Sequence, residues 1–107
     1  MIKVTPCPVE TTLSLIDSKW KVLILRDLMN GTMRFGQLKK SIGSISQKVL
    51  TSKLRAMEED GLLIRKVYPE MPLRVEYTLS DLGLSLRPIL DSIEAWGGKC
   101  KASLQKA

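Results

Sequence analysis

The stretch RFGQLKKSIGSISQKVLTSKLRAMEED, which spans residues 34–60, decides how this chain folds. Apolar residues recur at helical spacing on both sides of Gly43, so the stretch predicts two helices joined by a short turn. In the second helix the apolar positions are Val49, Leu50, Leu54 and Met57. The positions between them therefore face outward, and from Ser44 to Met57 none of them is acidic.

The outward face of the second helix suits the major groove of DNA, which presents base-edge acceptors between rows of phosphates. The residues predicted to read bases are Ser46, Gln47, Lys48 and Ser52. The residues of both helices predicted to contact phosphates are Arg34, Lys39, Lys40, Thr51, Lys53 and Arg55. A solvated helix face that happens to lack acids would look the same, so the surrounding sequence has to decide.

The start of this helix is predicted from a capping box. Ser44 and Gln47 fit the S-x-x-Q pattern, in which the two side chains satisfy backbone donors at a helix start. If Gln47 folds back onto Ser44, it is less free to pair with adenine. Both roles stay open for Gln47, whereas Lys48, Ser52 and Lys53 have no competing duty.

Composition and charge limit the classes of protein to which this chain can belong. The 107 residues allow one domain with one core. The net charge is +6, and the surplus lies in residues 34–66, which carry eight Lys/Arg against three Asp/Glu. A localised basic surface is typical of proteins that bind polyanions.

Several classes are disfavoured by what the sequence lacks. There is no histidine, no paired nucleophile and base, and no Gly-rich phosphate loop, so we expect no enzyme and no cofactor. The two cysteines lie 93 positions apart and form no CxxC, so we expect neither a disulfide framework nor a zinc site. No apolar run is long enough for a membrane span or a secretion signal, and we expect a cytoplasmic protein without a membrane partner.

The residues before the central stretch predict two further helices. A short helix around Val9 to Ile16 would carry Val9, Leu13 and Ile16 on one face. Ser18 is a predicted N-cap for the next helix, and Asn30-Gly31 is its predicted stop. The apolar stripe of that helix consists of Trp20, Leu23, Ile24 and Leu28. Trp20 is predicted to be a core aromatic because it shares this register.

The residues after the central stretch predict a β-hairpin. LLIRKVY (62–68) and VEYTLS (75–80) are β-branched and aromatic runs, and PEMPLR (69–74) separates them. A helix-turn-helix that ends at Gly61 and is followed by such a hairpin is a winged helix. On this wing Arg65, Lys66 and Arg74 are predicted to reach phosphates or an adjacent minor groove, unless they only add solubility.

The last segment predicts a dimerisation helix. After Ser80, a predicted N-cap, apolar residues follow a seam with spacings of 4, 3, 4, 3 and 4, namely Leu82, Leu86, Ile89, Ile93, Trp96 and Cys100. Leu84 and Leu90 lie off this seam and are predicted to face the domain's own core. Pro88 is predicted to bend the helix, and Gly97-Gly98 to end or loosen it. We expect a homodimer that buries the seam up to Trp96 together with the N-terminal helix.

The resulting fold class is mainly α with a small antiparallel β-hairpin. We expect a single domain over residues 1–107, a winged helix-turn-helix that spans about 7–106 and is dimeric through its N- and C-terminal helices. Its predicted parts are the helix-turn-helix 34–60, the wing 62–79 and the dimerisation helix 80–104.

The residues of a family pattern are spread along the whole chain. They are Cys7-Pro8, Lys19-Trp20-Lys21, Leu23-Ile24-Leu25, Arg34-Phe35, Leu38, Ile45 to Leu50, Leu54-Arg55, Glu58, Asp60-Gly61-Leu62, Val67 to Pro72, Val75 to Leu79, Leu86, Pro88 and Ala95-Trp96. In these residues the chain resembles the HxlR-type family of bacterial winged helix-turn-helix regulators, which is related more distantly to the MarR-like regulators. The resemblance implies a homodimeric regulator of transcription that binds a specific operator in double-stranded DNA, with an unknown effector. Some members resemble redox or electrophile sensors through the cysteine at the Cys7 position.

Cys7 and Cys100 leave two interpretations open. Cys7 lies at a predicted helix start, where the helix dipole and Lys3 favour the reactive thiolate, although Glu10 opposes it. An intersubunit bridge from Cys7 to Cys100 is then conceivable, because both termini should meet at the dimer interface. Alternatively, both are reduced thiols that pack as small hydrophobes, as is usual in a cytosolic protein.

One rival to a DNA-binding regulator remains at the level of sequence. Winged helices are reused as protein-interaction modules, and fold alone does not fix function. Such a module would have no need for the acid-free face from Ser44 to Met57. This face therefore favours a DNA-binding regulator.

Overall fold

A computed structural model of the protein describes residues 4–105. Within that part of the chain six helices and three strands follow one another. They are α1 (Pro8–Leu15), α2 (Lys19–Leu28), β1 (Met33–Arg34), α3 (Phe35–Ile42), α4 (Gln47–Glu59), β2 (Leu63–Tyr68), β3 (Arg74–Leu79), α5 (Asp81–Leu84) and α6 (Arg87–Gln105). The predicted fold class, a mainly helical winged helix-turn-helix, is confirmed.

The turn between α3 and α4 depends on Gly43. Its φ of 84° lies in the left-handed region, which side chains disfavour, and its N–H donates to the Lys39 carbonyl at 2.9 Å. Gly61 ends α4 in the same way, with a φ of 77°. The N–H of Leu62 reaches back to the Met57 carbonyl, which completes the usual glycine-terminated helix end.

The start of α4 differs from the predicted capping box. The N-cap is Ser46, whose hydroxyl accepts from the Val49 N–H at 3.1 Å, and the helix begins at Gln47. Ser44 lies in the preceding turn, so Gln47 is not folded back onto it. Half of such a cap occurs one helix earlier, where the Gln37 side chain accepts from the Arg34 N–H at 2.8 Å.

The strands form a three-stranded antiparallel sheet in the order β1-β3-β2. The predicted hairpin is confirmed, with Leu63 opposite Leu79 at its base and Tyr68 opposite Arg74 at its tip. The sequence did not indicate β1, because two residues are too few to show the alternation of a strand. Met33 pairs with Tyr77, and this pairing ties the start of α3 to the wing.

The core lies between the inner face of the sheet and helices α2, α3 and α4. Its buried apolar residues are Ile24, Leu25, Leu28, Leu38, Ile45, Leu50, Leu54, Met57, Leu62, Leu63, Tyr77, Leu79 and Leu86. The predicted cap of α2 is confirmed, since the Ser18 hydroxyl accepts from the Lys21 N–H. Trp20 is partly buried against this core, as its register predicts.

The C-terminal segment is not the single bent helix that the sequence predicts. It breaks after Leu84, and Pro88 lies in the first turn of α6, where a missing N–H costs nothing. Leu86, predicted on the dimer seam, is buried in the domain's own core. Leu84, predicted to face that core, is 43% exposed. Both differences follow from the break, which changes the helical phase before α6 starts.

Helix α6 projects from the body of the domain. It continues through Gly97-Gly98 to Gln105, and every residue from Asp91 to Lys99 is exposed. The radius of gyration is 15.3 Å, whereas a compact domain of this length has about 13 Å. The predicted domain end at residue 106 lies outside the described residues.

Candidate nucleic-acid interface

The outer face of α4 presents a row of polar side chains to solvent. Gln47, Lys48 and Ser52 are exposed, and within residues 4–105 their side chains have no hydrogen-bond or ion-pair partner. With Thr51 and Arg55 they line one shallow concave surface along the helix. Three of the four predicted base readers therefore lie together with their polar groups unused.

Two hydroxyls of this surface already have structural partners. Ser46 caps the helix through one lone pair of its oxygen, and its proton stays free to donate to DNA. Thr51 donates its proton to the Gln47 carbonyl at 2.8 Å, which leaves its oxygen as an acceptor. The N-cap thus passes from Ser44, where the sequence placed it, to Ser46, and Gln47 has no capping role.

Cationic side chains surround the concave surface. Lys40 and Arg34 are exposed on α3 and just before it, whereas Lys39 is half-buried. Arg55 of α4 and Arg65 of β2 line a common groove with Thr51, Glu58 and Tyr77. The wing strand therefore adds a cation next to the last turns of α4.

All charged side chains from β1 to the last turn of α4 are positive. No acidic residue occurs between Asp27 and Glu58. Glu58 and Glu59 then border the concave surface at its C-terminal end. A polyanion is therefore favoured over the first turns of α4 and repelled at the last one.

Lys53 has an acidic neighbour that the sequence analysis missed. Asp17 follows α1, and its pKa is lowered mainly by a hydrogen bond from Lys21, with a smaller contribution from the nearby charge of Lys53. The Lys21 ammonium lies 2.9 Å from Asp17 Oδ1 and is itself buried. The spacing of four residues between Asp17 and Lys21 was the available signal. Lys53 therefore has a carboxylate in its surroundings that offsets part of its charge.

The wing cations differ in what surrounds them. Lys66 is exposed, and its ammonium lies 5.2 Å from the centre of the Tyr68 ring. Arg74 is engaged within the wing, where it lies over Tyr68 and 3.2 Å from a carboxylate oxygen of Glu70. The structure therefore places Arg74 in internal contacts rather than on the surface that faces outward.

Large apolar side chains are exposed on α1, α5 and α6. Val9 and Leu13 of α1 are 64% and 53% exposed. On α6 Ile89, Ile93 and Trp96 line one shallow apolar surface, and Trp96 is 71% exposed. Leu82 of α5 is also exposed, at 42%. An exposed tryptophan among aliphatic side chains is typical of an interaction surface.

The two cysteines are free thiols in the structure. Cys7 is exposed and is the N-cap residue of α1, where its carbonyl accepts from the Thr11 N–H at 3.1 Å. Cys100 is half-buried on α6. Lys3, which the sequence analysis placed near Cys7, lies outside the described residues.

The described part of the chain contains neither a membrane-spanning helix nor a metal site. Between residues 4 and 105 no helix is long and apolar enough to span a membrane. In the same part of the chain no group of His, Cys, Asp or Glu side chains is placed to hold a metal ion.

These features define a class of protein. A helix-turn-helix whose second helix presents a polar, acid-free face, next to a hairpin wing, is the winged helix-turn-helix of DNA-binding regulators. The family model that is described as "HxlR-like helix-turn-helix" matches residues 15–104. The chain belongs to this family.

Known proteins resemble the chain over most of its length. YdeP of Bacillus subtilis (strain 168), named an uncharacterized HTH-type transcriptional regulator, is 42% identical over 100 residues, which are 94% of this chain and 78% of YdeP. The solved structure of the redox regulator HypR in its reduced form has a TM-score of 0.87 at 37% identity and covers 94% of this chain and 100% of HypR. HypR in its oxidized form has a TM-score of 0.82 at 40% identity and covers 87% of this chain and 96% of that one.

Proposed function

We propose that this protein regulates transcription as a homodimer that binds a palindromic operator and lays α4 in the major groove of each half-site. The observation that carries the proposal is the unpartnered state of Gln47, Lys48 and Ser52 on an exposed, acid-free helix face. Base edges of DNA would supply the missing hydrogen bonds. Membership of a family of helix-turn-helix regulators supports the same conclusion.

Base reading falls to the first two turns of α4. Gln47 is free to pair with adenine, because Ser46 has taken over the cap. Lys48 donates to guanine O6 or N7, and Ser52 lies one turn further along the same face. Ser46 contributes its hydroxyl proton only.

Phosphate contacts surround the base readers and set the affinity. The proposed residues are Arg34, Lys39, Lys40, Lys53, Arg55, Arg65 and Lys66. Thr51 reaches a phosphate only by giving up its hydrogen bond to the Gln47 carbonyl, and Arg74 is engaged within the wing. Arg55 and Arg65 line one groove and would follow one phosphate row. Lys53 contributes less than its charge suggests, because Asp17 is close to it.

Dimerisation sets the symmetry of the operator. The apolar surfaces of α1 and α6 are proposed to meet the same surfaces of a second copy around a two-fold axis. Two α4 helices on one side of such a dimer require inverted half-sites about 34–36 Å apart, one turn of DNA.

The decisive experiment measures the affinity for promoter fragments, including the region upstream of the protein's own gene, at several salt concentrations. We expect log affinity to fall with log salt by about 0.9 for each neutralised phosphate. Lys48→Ala should also reduce discrimination at one base pair in each half-site by about 1–3 kcal/mol. Lys99→Ala on α6 is the matched control, since it removes the same charge and should leave the base preference unchanged.

Two results would contradict this proposal. Absence of affinity for any fragment, or affinity independent of salt, would favour the alternative of a protein-interaction module. Equal loss of affinity for specific and random DNA in Lys48→Ala would make Lys48 a phosphate contact and remove it from the base readers.

A second proposal concerns regulation by oxidants or electrophiles through Cys7. Cys7 is exposed at the N-terminus of α1, where an oxidant in solution can reach its thiol. Cys100 lies on α6, the helix proposed to meet α1 across the dimer, so a bridge between subunits would join these two thiols. The likeness to HypR, a redox regulator solved in reduced and oxidized forms, supports this proposal.

Oxidation with diamide tests the role of Cys7. We expect a covalent dimer on non-reducing gels and a change in operator affinity that dithiothreitol reverses. Cys7→Ser should abolish both effects, and Cys100→Ser should abolish the covalent dimer. Unchanged DNA binding after complete oxidation of the wild type would leave Cys7 with a structural role only.

A further inference from the structure

The tip of the wing contains a compact cluster of charged and aromatic side chains. The guanidinium carbon of Arg74 lies 3.9 Å from the centre of the Tyr68 ring. Its Nη2 lies 3.2 Å from Glu70 Oε1, and its Nε lies 3.9 Å from Glu76 Oε2. Lys66 approaches the Tyr68 ring as well, at 5.2 Å. Two cations and two carboxylates therefore offset one another at the tip.

The cluster joins the two ends of the wing loop to its middle. Tyr68 is the last residue of β2, Arg74 is the first of β3, and the two are register partners. Glu70 lies in the loop between them, and its own N–H donates to the Tyr68 carbonyl at 2.8 Å. Arg74 thus holds the loop that carries Met71, which is 99% exposed at the tip.

Arg74 is poorly placed to contact a phosphate itself. Its side chain is 29% exposed, and its Nε is buried with no hydrogen-bond partner in the described residues. At 3.9 Å the nearest Glu76 oxygen is too distant for a hydrogen bond and acts as a neighbouring charge. A phosphate that approached Nη2 would compete with Glu70 for this nitrogen.

We propose that Arg74 is a positioning residue, which holds the wing loop through Tyr68 and Glu70 in the shape that DNA binding requires. The proposal rests on the proposed function, DNA binding by α4 with the wing beside it. Its direct consequence is that Glu70, an acid on a DNA-binding wing, favours DNA binding. A simple charge argument predicts the opposite, because removing an acid strengthens attraction to phosphates.

The sign of the effect of Glu70→Gln separates the two roles. If Arg74 positions the loop, Glu70→Gln should weaken operator affinity about two- to fivefold, as expected from the loss of an exposed ion pair. Arg74→Met should weaken it about tenfold, since the stacking on Tyr68 is lost as well. Glu94→Gln on α6 is the matched control, because it removes an acid away from the wing and should not weaken binding.

The salt dependence of each variant gives a second readout. A positioning residue leaves the slope of log affinity against log salt nearly unchanged in Arg74→Met. A phosphate contact would instead lower that slope by about 0.9 for each lost contact. Tighter binding by Glu70→Gln together with a lower slope in Arg74→Met would overturn the proposal.

Amide hydrogen exchange of the free protein tests the cluster without DNA. Residues 69–75 should exchange faster in Glu70→Gln and Arg74→Met, while α4 keeps its wild-type protection. Arg74→Lys, which keeps the charge but loses the flat stacking surface, should resemble Arg74→Met. Unchanged exchange in the loop would overturn the positioning role even if the protein bound no DNA, so this proposal and the proposed function can fail separately.

Discussion

Asp17 and Lys21 show how a single ion pair shapes the helical part of the domain. Lys21 occupies a core-facing position of α2, and the residue is only 6% exposed. Burial of its charge would be costly without a partner. Asp17 offsets that cost at 2.9 Å, and the hydrogen bond from Lys21 holds the pKa of the Asp17 carboxyl below 3.8. Burial raises the pKa of this carboxyl, but by less than the hydrogen bond lowers it.

Asp17→Asn should destabilise the protein in a pH-dependent way. At neutral pH we expect a loss of about 1 kcal/mol, because the Asp17 side chain is 57% exposed and solvent screens the pair. The folded pKa lies below the unfolded one of about 3.9, so this stabilisation is complete above that pH and is lost as the pH falls through the folded pKa. Urea unfolding of both proteins between pH 7 and pH 2.5 measures the difference.

The control for this substitution is Glu94→Gln, which removes a charge that has no ion-pair partner within the described residues. Its effect on stability should be small at every pH. A difference between Asp17→Asn and the wild type that did not shrink as the pH fell below the ordinary pKa of an aspartate would show that the Asp17 carboxylate is not its source.

At the scale of elements, the short helix α5 links the wing to α6 through a tight junction. The Ser80 hydroxyl accepts from the Gly83 N–H and donates to the Gly61 carbonyl. The Ser80 N–H donates to the Leu62 carbonyl at 3.0 Å. This brings Gly83 so close to Leu62 that a Cβ on Gly83 would overlap the Leu62 carbonyl oxygen.

Gly83→Ala should therefore destabilise the protein although it places a better helix former in α5. Overpacking of this kind costs about 1–3 kcal/mol, which exceeds the gain from helix propensity. Gly98→Ala on α6 is the control, because nothing lies within 4 Å of its Cβ, and it should stabilise by about 0.5–1 kcal/mol. Equal shifts of the urea midpoint in both variants would show that the junction is not tight.

At the scale of the whole molecule, the described chain exposes more surface than a compact monomer does. Its accessible surface is 7447 Å², whereas a folded monomer of this mass has about 6,000 Å². The excess comes with the projecting helix α6 and its exposed Ile93 and Trp96. A second copy of the chain that packed against this face of α6 would bury the excess surface.

Ile93→Glu should convert the proposed dimer into a monomer. Sedimentation equilibrium should give a mass near 12.0 kDa for this variant and twice that for the wild type. The variant should keep its helical circular dichroism, because Ile93 is 48% exposed in the single chain. Operator affinity should fall by at least tenfold, since only one half-site is then bound at a time.

Ala102→Glu provides the matched control, since Ala102 lies on the opposite side of α6, beside Asp91 and Gly98. It should remain dimeric. A monomeric wild type at concentrations where the operator is fully bound would contradict dimerisation through α6.

The sequence by itself determined the order of helices α1 to α4 and of the two hairpin strands. Helical spacing in the stretch 34–60, the glycines at 43 and 61, and two β-branched runs around a proline-rich loop predicted the winged helix-turn-helix correctly. These signals are local, because periodicity and left-handed turns depend on residues that are neighbours in the chain. The acid-free face of α4 was likewise readable from its composition alone.

The tertiary structure decided which partners and which environment each side chain has. The sequence placed the cap of α4 on Ser44 and Gln47, whereas in the fold Ile45 is buried in the core and Ser46 caps the helix, which leaves Gln47 free. Leu86 is buried in the core and Leu84 is exposed, the reverse of what was predicted, because the helix breaks before α6 and its phase changes there. Strand β1 exists only because β3 pairs with it, and Arg74 faces Tyr68 and Glu70 only because the hairpin register brings them together. The pairing of β1 with β3 joins residues that are distant in the chain, and no local pattern encodes it.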